Sequence, residues 1–211
     1  MPVDHSTLLA FALAAAVVYV TPGVDMAYIA SKGVAHGRRA ALWAAAGTVA
    51  GVTSQAIAAA LGVTALFAAS PVAFEIVRWL GVAYLCWLGV QTLRARDEPT
   101  ARAESDAWRP WPTFARGAAI NVLNPKIALF FLAFLPQFVD PGRGSVALQL
   151  SLLGALFAVG ALLWCAALAL AFGSLGARAG RSAGFRRWQR RISGSAFIGF
   201  AGVLGVADLR R

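Results

Sequence analysis

Two short polar segments interrupt hydrophobic stretches, one in each half of the chain. The first is 21–25, with the sequence Thr-Pro-Gly-Val-Asp, and the second is 121–126, with the sequence Asn-Val-Leu-Asn-Pro-Lys. A helix in lipid satisfies its own backbone hydrogen bonds, so a break there is costly unless it lines a cavity. A charged residue at that depth costs about 2.5–3.5 kcal/mol on insertion scales. Two such breaks in corresponding positions predict a transporter with its binding site near the middle of the bilayer.

Pro22 and Pro125 break the predicted helices because neither carries a backbone N–H, and each ring clashes with the carbonyl four residues earlier. Each break frees carbonyl groups, which can accept hydrogen bonds from an ammonium group. Each break also creates a helix N-terminus, whose N–H groups and partial positive charge suit a carboxylate. A zwitterionic amino acid carries both groups. Two half-helices that meet head to head would therefore hold both ends of it.

Asp25 and Lys126 add full charges of opposite sign beside the breaks. Asp25 could bind a substrate ammonium group or exchange a proton, and Lys126 could bind a substrate carboxylate or act as the resting counter-ion of Asp25. The alternative is an ion pair that only holds the two halves together, although a buried pair is weak evidence for stability. The sequence leaves both roles open.

Further candidate site residues are polar or small residues within the breaks or at the same depth. Asn121 and Asn124 could bind substrate or only cap the second break, since Asn favours such turns. Thr21 is ambiguous in the same way, and Gly23 belongs to the first break. Gln55 either lines the transport path or bonds a neighbouring helix.

The composition indicates what kind of elements position these residues. The chain has 211 residues, of which 59% are hydrophobic and 13% charged, and its mean hydropathy is +0.68. A soluble domain typically carries about 25% charged residues, and here the apolar residues fall in long runs. Six candidate spans are predicted, and some exceed the roughly 20 residues that cross about 30 Å of hydrocarbon, which implies tilt or kinks. Their approximate ranges are 6–31, 40–68, 72–94, 114–139, 146–176 and 190–208.

A polar linker at 95–113 divides the chain into two halves of three spans each. One transmembrane domain is predicted, with a first repeat at about 1–94 and a second at about 114–211. The halves look related, because 78–84 aligns with 191–197, although chance matching in a Gly- and Ala-rich sequence is the alternative. An odd number of spans inserts the second repeat upside down. The predicted fold is an all-α integral membrane protein with six transmembrane helices in two inverted three-helix repeats, helices 1 and 4 being broken.

The net charge of +10 is better explained by membrane orientation than by a nucleic-acid partner. Most of the 19 Lys and Arg residues lie in the loops after spans one, three and five. By the positive-inside rule these loops, including the 95–113 linker, are cytoplasmic, so both termini face the periplasm or exterior. The Arg-rich stretch 178–191 would also lie against anionic lipid.

A small-residue motif is present in span two. Gly47 and Gly51 form a GxxxG pattern, which lets helices pack closely in lipid. The pattern indicates either an intramolecular contact, which we favour, or a contact in a homodimer.

The sequence lacks the residues that several kinds of chemistry need. There is no Gly-x-x-x-x-Gly-Lys-Ser/Thr loop to hold phosphates. The histidines His5 and His36 are far apart, and Cys86 and Cys165 are isolated in apolar spans, so no metal-ligand cluster is indicated. No Ser/His/Asp set indicates a hydrolase. The sequence therefore predicts a secondary carrier that is not an enzyme and that needs neither a cofactor nor a metal.

Besides the two breaks at 21–25 and 121–126, the chain has characteristic segments at 37–40, 79–85 and 131–138. With these segments it resembles the lysine-exporter (LysE/RhtB-type) family of amino-acid efflux translocators. The resemblance covers nearly the whole chain, and Val24 departs from it, since many relatives have a second proline there. It implies a bacterial inner-membrane carrier that exports amino acids or their derivatives, driven by the proton-motive force.

We therefore expect a multi-pass protein of the bacterial inner membrane that exports amino acids, or related metabolites, by proton-coupled alternating access. A neutral substrate of the homoserine, threonine or leucine kind is favoured. The expected partners are this substrate, protons and membrane lipid, and a homodimer is left open. One alternative is export of metal ions or other inorganic solutes on a related scaffold, and another is a membrane scaffold that transports nothing.

Overall fold

The computed structural model describes residues 3–69 and 108–175, together with single residues among 72–94 and 191–199. Over these residues the secondary structure is helical, with no strand. The predicted spans at 72–94 and 190–208 lie largely outside the described residues, as do the 78–84 and 191–197 stretches. The six-helix count and the inverted repeat therefore stay predictions.

Within the described stretches 5–69 and 110–175, the helices follow one another with short connections. Two 3-10 turns, Leu135–Phe138 and Pro141–Arg143, lead into the helix at Val146–Leu175. The α-helices of the described residues are α1 (His5–Val20), α2 (Val24–Ala69), α3 (Pro110–Val122), α4 (Pro125–Ala133) and α5 (Val146–Leu175).

By length and composition, two helical stretches are apolar enough to cross a membrane, Val24–Ala65, which is interrupted at Gly37, and Val146–Ser174. A third unit consists of Pro110–Val122 and Pro125–Phe138, which are bent by 48° relative to each other at the break between them. α1 is a shorter apolar helix. The prediction of an all-α membrane protein is thus confirmed in this coarser form.

α2 is interrupted at Gly37, whose φ of 79° and ψ of −170° are not helical. Glycine adopts a positive φ readily because it has no Cβ. On one side of Gly37, the Tyr28 hydroxyl donates to the carbonyl of Thr113 at 3.0 Å. On the other side, Gly47 packs against the carbonyl of Phe114. Since both contacts fall on the same turn of α3, the chain reverses at Gly37. α2 is therefore a hairpin of a first arm (24–36) and a second arm (38–69).

The second arm of α2 packs closely on α3 through glycines. A Cβ at Gly51 would lie 2.6 Å from the carbonyl oxygen of Ala118, and a Cβ at Gly117 would lie 2.7 Å from that of Ala44. The contacts advance in the same direction along both helices, so the second arm and α3 run parallel. The motif formed by Gly47 and Gly51 is thus an intramolecular contact, as we favoured from the sequence.

Contacts outside the apolar interior define two ends of the molecule. A guanidinium nitrogen of Arg143 lies 3.2 Å from the Asp4 carboxylate, which brings the start of α1 and the turn before α5 to one end. The N–H of Thr7 donates to Asp4, and this bond is the largest cause that lowers the pKa of that carboxyl to about 2. At the opposite end, Gly173 packs on the backbone of Arg38. We call these the Asp4 end and the Arg38 end.

An aromatic cluster fills the interior between the helix breaks and the Asp4 end. Phe130, Phe131 and Phe134 pack with Phe11 and Phe157, and each of the five is at most 2% exposed. The ring centroids of Phe131 and Phe157 are 4.8 Å apart. This cluster closes the space between the breaks and the Asp4 end with apolar side chains.

Candidate functional site

The helices end at the positions where the sequence predicts breaks. The backbone leaves α-helical geometry at 21–23, between α1 and α2, and again at 123–124, between α3 and α4. Pro22 lies in the first connection and Pro125 in the first turn of α4. Proline suits a first turn because its missing N–H would have no partner there in any case.

Lys126 joins the two breaks. Its side chain leaves α4 and reaches the end of α1, where Nζ lies 3.3 Å from the carbonyl oxygen of Thr21 and 3.5 Å from that of Val18. The same ammonium group lies 3.8 Å from Oδ1 of Asp25. The Lys126 and Asp25 side chains are only 8% and 19% exposed. The carbonyls at the end of α1 therefore have a buried cationic donor from the other half of the chain.

Gly23 leaves the space that this arrangement needs. A Cβ at Gly23 would lie 3.0 Å from Nζ of Lys126 and would collide with Oδ1 of Asp25. The neighbouring Thr21 is buried, and its hydroxyl donates to the carbonyl of Val17 at 2.7 Å. Thr21 thus completes the end of α1 with its hydroxyl, while its backbone carbonyl faces Lys126.

Gln55 supplies a side-chain donor to the carbonyls at the second break, as Lys126 does at the first. Its Nε2 donates to the carbonyls of Asn121 and Val122, both at 2.8 Å, and lies 3.4 Å from that of Asn124. The sequence left open whether Gln55 lines a path or bonds a neighbouring helix, and the structure shows the bond. Each break is therefore capped by a side-chain donor from a distant part of the chain.

The asparagines have distinct positions. Asn124 caps α4, because its Oδ1 accepts from the N–H of Lys126 at 3.1 Å. Asn121 lies in the last turn of α3 and is fully buried. Its backbone carbonyl also accepts from the N–H of Asn124 at 3.0 Å. The backbone carbonyl of Asn121 and the side chain of Asn124 thus connect the end of α3 to the first turn of α4.

Several buried polar atoms, at the breaks and in the contact between the second arm of α2 and α3, have no hydrogen-bond partner among the residues that the structure describes. An unpaired buried polar atom costs about 1–3 kcal/mol, so a group of them needs an explanation, such as a ligand. The group contains both donors and acceptors. It includes Asp25 Oδ1, Thr48 Oγ1, Gln55 Oε1, Asn121 Oδ1 and Nδ2, and Asn124 Nδ2.

Thr48 is the member of this group that the sequence pattern did not single out. It lies within the Gly47–Gly51 motif and is 1% exposed. The one available signal was a hydroxyl in the middle of a small-residue packing motif, which equally fits a purely structural residue.

The charged and polar groups of the site match those of a small polar molecule. It offers one cationic group, one anionic group, two helix termini and several amides. Within the described part of the chain, no group of three or more His, Cys, Asp or Glu side chains could hold a metal ion. What the arrangement can do chemically is to hold and release a ligand that carries both charges.

One family model matches a range of the chain that includes both breaks. The family model described as LysE type translocator matches residues 16–208. The chain belongs to the LysE type translocator family. The resemblance drawn from the motifs is thereby confirmed.

Named relatives of this LysE type translocator include efflux proteins. It is 32% identical over 143 residues to the homoserine/homoserine lactone efflux protein of Salmonella typhi, which covers 68% of this chain and 69% of that protein. It is 31% identical over 150 residues to the leucine efflux protein of Klebsiella pneumoniae, covering 68% and 71%. A membrane protein of Vibrio cholerae is 36% identical over 140 residues, covering 66% and 68%. No solved structure matches the chain.

Proposed function

We propose that this LysE type translocator exports a small neutral amino acid, or a closely related metabolite, across the bacterial inner membrane as a proton-coupled secondary carrier. Membership of the family and the efflux names of its relatives support export. The observation that carries the proposal is the buried pair of Asp25 and Lys126, 3.8 Å apart where the two helix breaks meet.

Binding of a zwitterion follows from the groups around this pair. A substrate ammonium group can take the place that Lys126 Nζ occupies beside the carbonyls of Val18 and Thr21, with Asp25 as its counter-charge. Lys126 and the N-terminus of α4 are then available to the substrate carboxylate. Substrate and Lys126 compete for the same acceptors, so the pair is both a resting state and a binding site.

A neutral side chain is favoured by the balance of charge. The pair supplies one positive and one negative charge, which the two ends of a zwitterion match. A further charge on the substrate would be buried without a partner, which is strongly unfavourable.

Proton coupling is assigned to Asp25. Protonation of its carboxylate removes the attraction for an ammonium group, so the substrate leaves when Asp25 takes up a proton. On the cytoplasmic side the loss of that proton restores binding. Net proton entry would therefore drive net export.

Alternating access requires the site to open toward each end in turn. The aromatic cluster lies between the breaks and the Asp4 end, and the Tyr28–Thr113 hydrogen bond ties the first arm of α2 to α3 near the Arg38 end. We propose that these two closures open at different steps of the cycle.

Efflux from cells loaded with radiolabelled amino acids, with and without a protonophore, tests this function. We expect export that the protonophore abolishes, and we expect Asp25→Asn to abolish it at an unchanged level of protein in the membrane. Asp140→Asn is the matched control, because Asp140 is 59% exposed in a turn at the Asp4 end. Normal export by Asp25→Asn would remove Asp25 from the mechanism. Increased metal tolerance without amino-acid export would favour the inorganic-solute alternative.

A further inference from the structure

We infer that three oxygen atoms around the first break form a binding site for a monovalent cation, and that the Lys126 ammonium group is its built-in occupant. The oxygens are the carbonyls of Val18 and Thr21 and Oδ1 of Asp25. Without the ammonium group, the site would bind a free cation such as Na⁺ or K⁺. The inference goes beyond the proposed function, because it concerns what these oxygens bind and is tested without transport.

The three oxygens lie around a single point, which Nζ of Lys126 occupies. Nζ is 3.3 Å from the carbonyl oxygen of Thr21, 3.5 Å from that of Val18 and 3.8 Å from Oδ1 of Asp25. All three distances exceed the about 2.7–3.2 Å of an ordinary N–H···O hydrogen bond. The ammonium group therefore acts mainly through its charge, which another cation can supply. Backbone carbonyls at the ends of broken helices bind Na⁺ in membrane carriers, and rings of carbonyls bind K⁺ in channels.

The sequence deprives these oxygens of the donors that an unbroken helix would supply. The carbonyl of Val18 would accept from the N–H of residue 22, but that residue is Pro22, which has no N–H. The carbonyl of Thr21 belongs to the connection between α1 and α2. Oδ1 of Asp25 is buried and has no hydrogen-bond partner among the described residues. Because buried acceptors are costly to leave unpaired, a positive charge among these three oxygens is strongly favoured.

The charge of the ligands selects a monovalent cation. Two of the oxygens belong to neutral carbonyls and the third to the carboxylate of Asp25, so the site supplies one negative charge. A single positive charge balances it, whereas a divalent ion would leave one charge buried without compensation. The described residues also contain no group of three or more His, Cys, Asp or Glu side chains that could hold a metal ion. The site is therefore built from backbone oxygens and one acid.

The space for the cation depends on Gly23 and on the length of the lysine side chain. A Cβ at Gly23 would lie 3.0 Å from Nζ of Lys126 and would collide with Oδ1 of Asp25. Lys126 reaches the oxygens from α4 through a flexible four-carbon stem. Lys126→Ala removes the stem together with the charge, whereas Lys126→Met keeps an unbranched apolar side chain in the same space. The two variants therefore differ in whether a free cation can reach the oxygens.

Thermal unfolding of purified Lys126→Ala in detergent, with equal concentrations of NaCl, KCl or choline chloride, tests the inference. Na⁺ or K⁺ should raise the melting temperature above that in choline, whose methyl groups keep its charge away from the oxygens. A shift of a few degrees that grows with cation concentration is expected, because a ligand stabilises the folded state that binds it. The native protein and Lys126→Met should melt alike in all three salts. Asp25→Asn/Lys126→Ala should do so as well, because its site has lost the negative charge.

Equal melting temperatures of Lys126→Ala in the three salts would overturn the inference. An undiminished response in Asp25→Asn/Lys126→Ala would place the cation elsewhere and overturn it too. If Lys126→Ala cannot be purified in a folded form, the native protein decides: equal melting in all three salts supports a built-in occupant, and stabilisation by Na⁺ or K⁺ overturns it. None of these results depends on export, so a failure of the efflux experiment would overturn the proposed function and leave the cation site intact.

Discussion

At the scale of single residues, Lys126 is the side chain that connects the two breaks. It supplies the donor for the carbonyls of Thr21 and Val18 and the counter-charge of Asp25, all from a helix of the other half of the chain. Its side chain is 8% exposed, so water cannot readily replace it. The contacts that the structure shows and the transport role that we propose therefore fall on one ammonium group.

We expect Lys126→Met to abolish export and to lower the thermal stability of the purified protein. Removal of one partner from a buried ion pair typically costs about 3–5 kcal/mol, because the remaining charge is left without compensation. Lys126→Arg keeps a cation and should be closer to the native protein in stability. Thermal unfolding in detergent, with efflux from cells, measures both effects.

The double variant Asp25→Asn/Lys126→Met separates the two roles of the pair. It should recover much of the stability lost in Lys126→Met, since no unpaired charge remains, and it should still fail to export. Export by the double variant would show that the pair only holds the helices together. A native melting temperature for Lys126→Met alone would contradict the structural role.

At the scale of elements, the breaks at 21–23 and 123–124 are held in place by the seam between the second arm of α2 and α3. Gln55 follows Gly51 on α2 by about one turn, and its amide caps the end of α3. The close approach of the two backbones at Gly51 and Gly117 therefore sets the distance at which Gln55 can reach its acceptors.

Gly51→Ala should destabilise the protein by about 1–3 kcal/mol, as overpacking does in a filled interior. The added Cβ would lie 2.6 Å from the backbone carbonyl of Ala118, which can move only with α3. Gly62→Ala is the matched control on the same arm, because a Cβ there meets nothing within 4 Å. Alanine should raise stability at that position by about 0.5–1 kcal/mol through its better helix propensity. Melting temperatures of the two variants that do not differ would contradict the packing described here.

At the scale of the whole molecule, two ends are defined by long-range contacts. Asp4 and Arg143 share one end, and Arg38 lies at the other, with the breaks between them. Arg38 belongs to the basic loop after span one, and its position opposite Arg143 agrees with the assignment of the basic loops to one side of the membrane. Which end faces the cytoplasm is a prediction of the positive-inside rule.

Labelling of introduced cysteines with a membrane-impermeant thiol reagent tests that orientation. In a background with Cys86 and Cys165 replaced by Ala, Arg143→Cys should react in intact cells, and Arg38→Cys should react only after the membrane is opened. The side chain of Arg143 is 48% exposed, so a cysteine there is accessible to the reagent. The reverse pattern would show that the basic loops face outward.

The sequence by itself determined the features that depend on local chemistry. Long apolar runs require a membrane protein, and the lack of an N–H in proline places helix ends near Pro22 and Pro125. The motifs around these prolines, together with the segments 37–40, 79–85 and 131–138, sufficed to indicate the family. The pair of Asp25 and Lys126 could be proposed as well, since a charge in an apolar run needs a partner.

Only the tertiary structure decided which side-chain donor bonds which backbone carbonyl. The contact of Lys126 with the carbonyl of Thr21 spans 105 residues of chain, and that of Gln55 with Asn121 spans 66. The unpaired hydroxyl of Thr48 is likewise visible only once α2 and α3 are packed together. Such pairings depend on which helix faces come together across the molecule, and a hydrophobic run that is apolar on every face carries no sign of its neighbours.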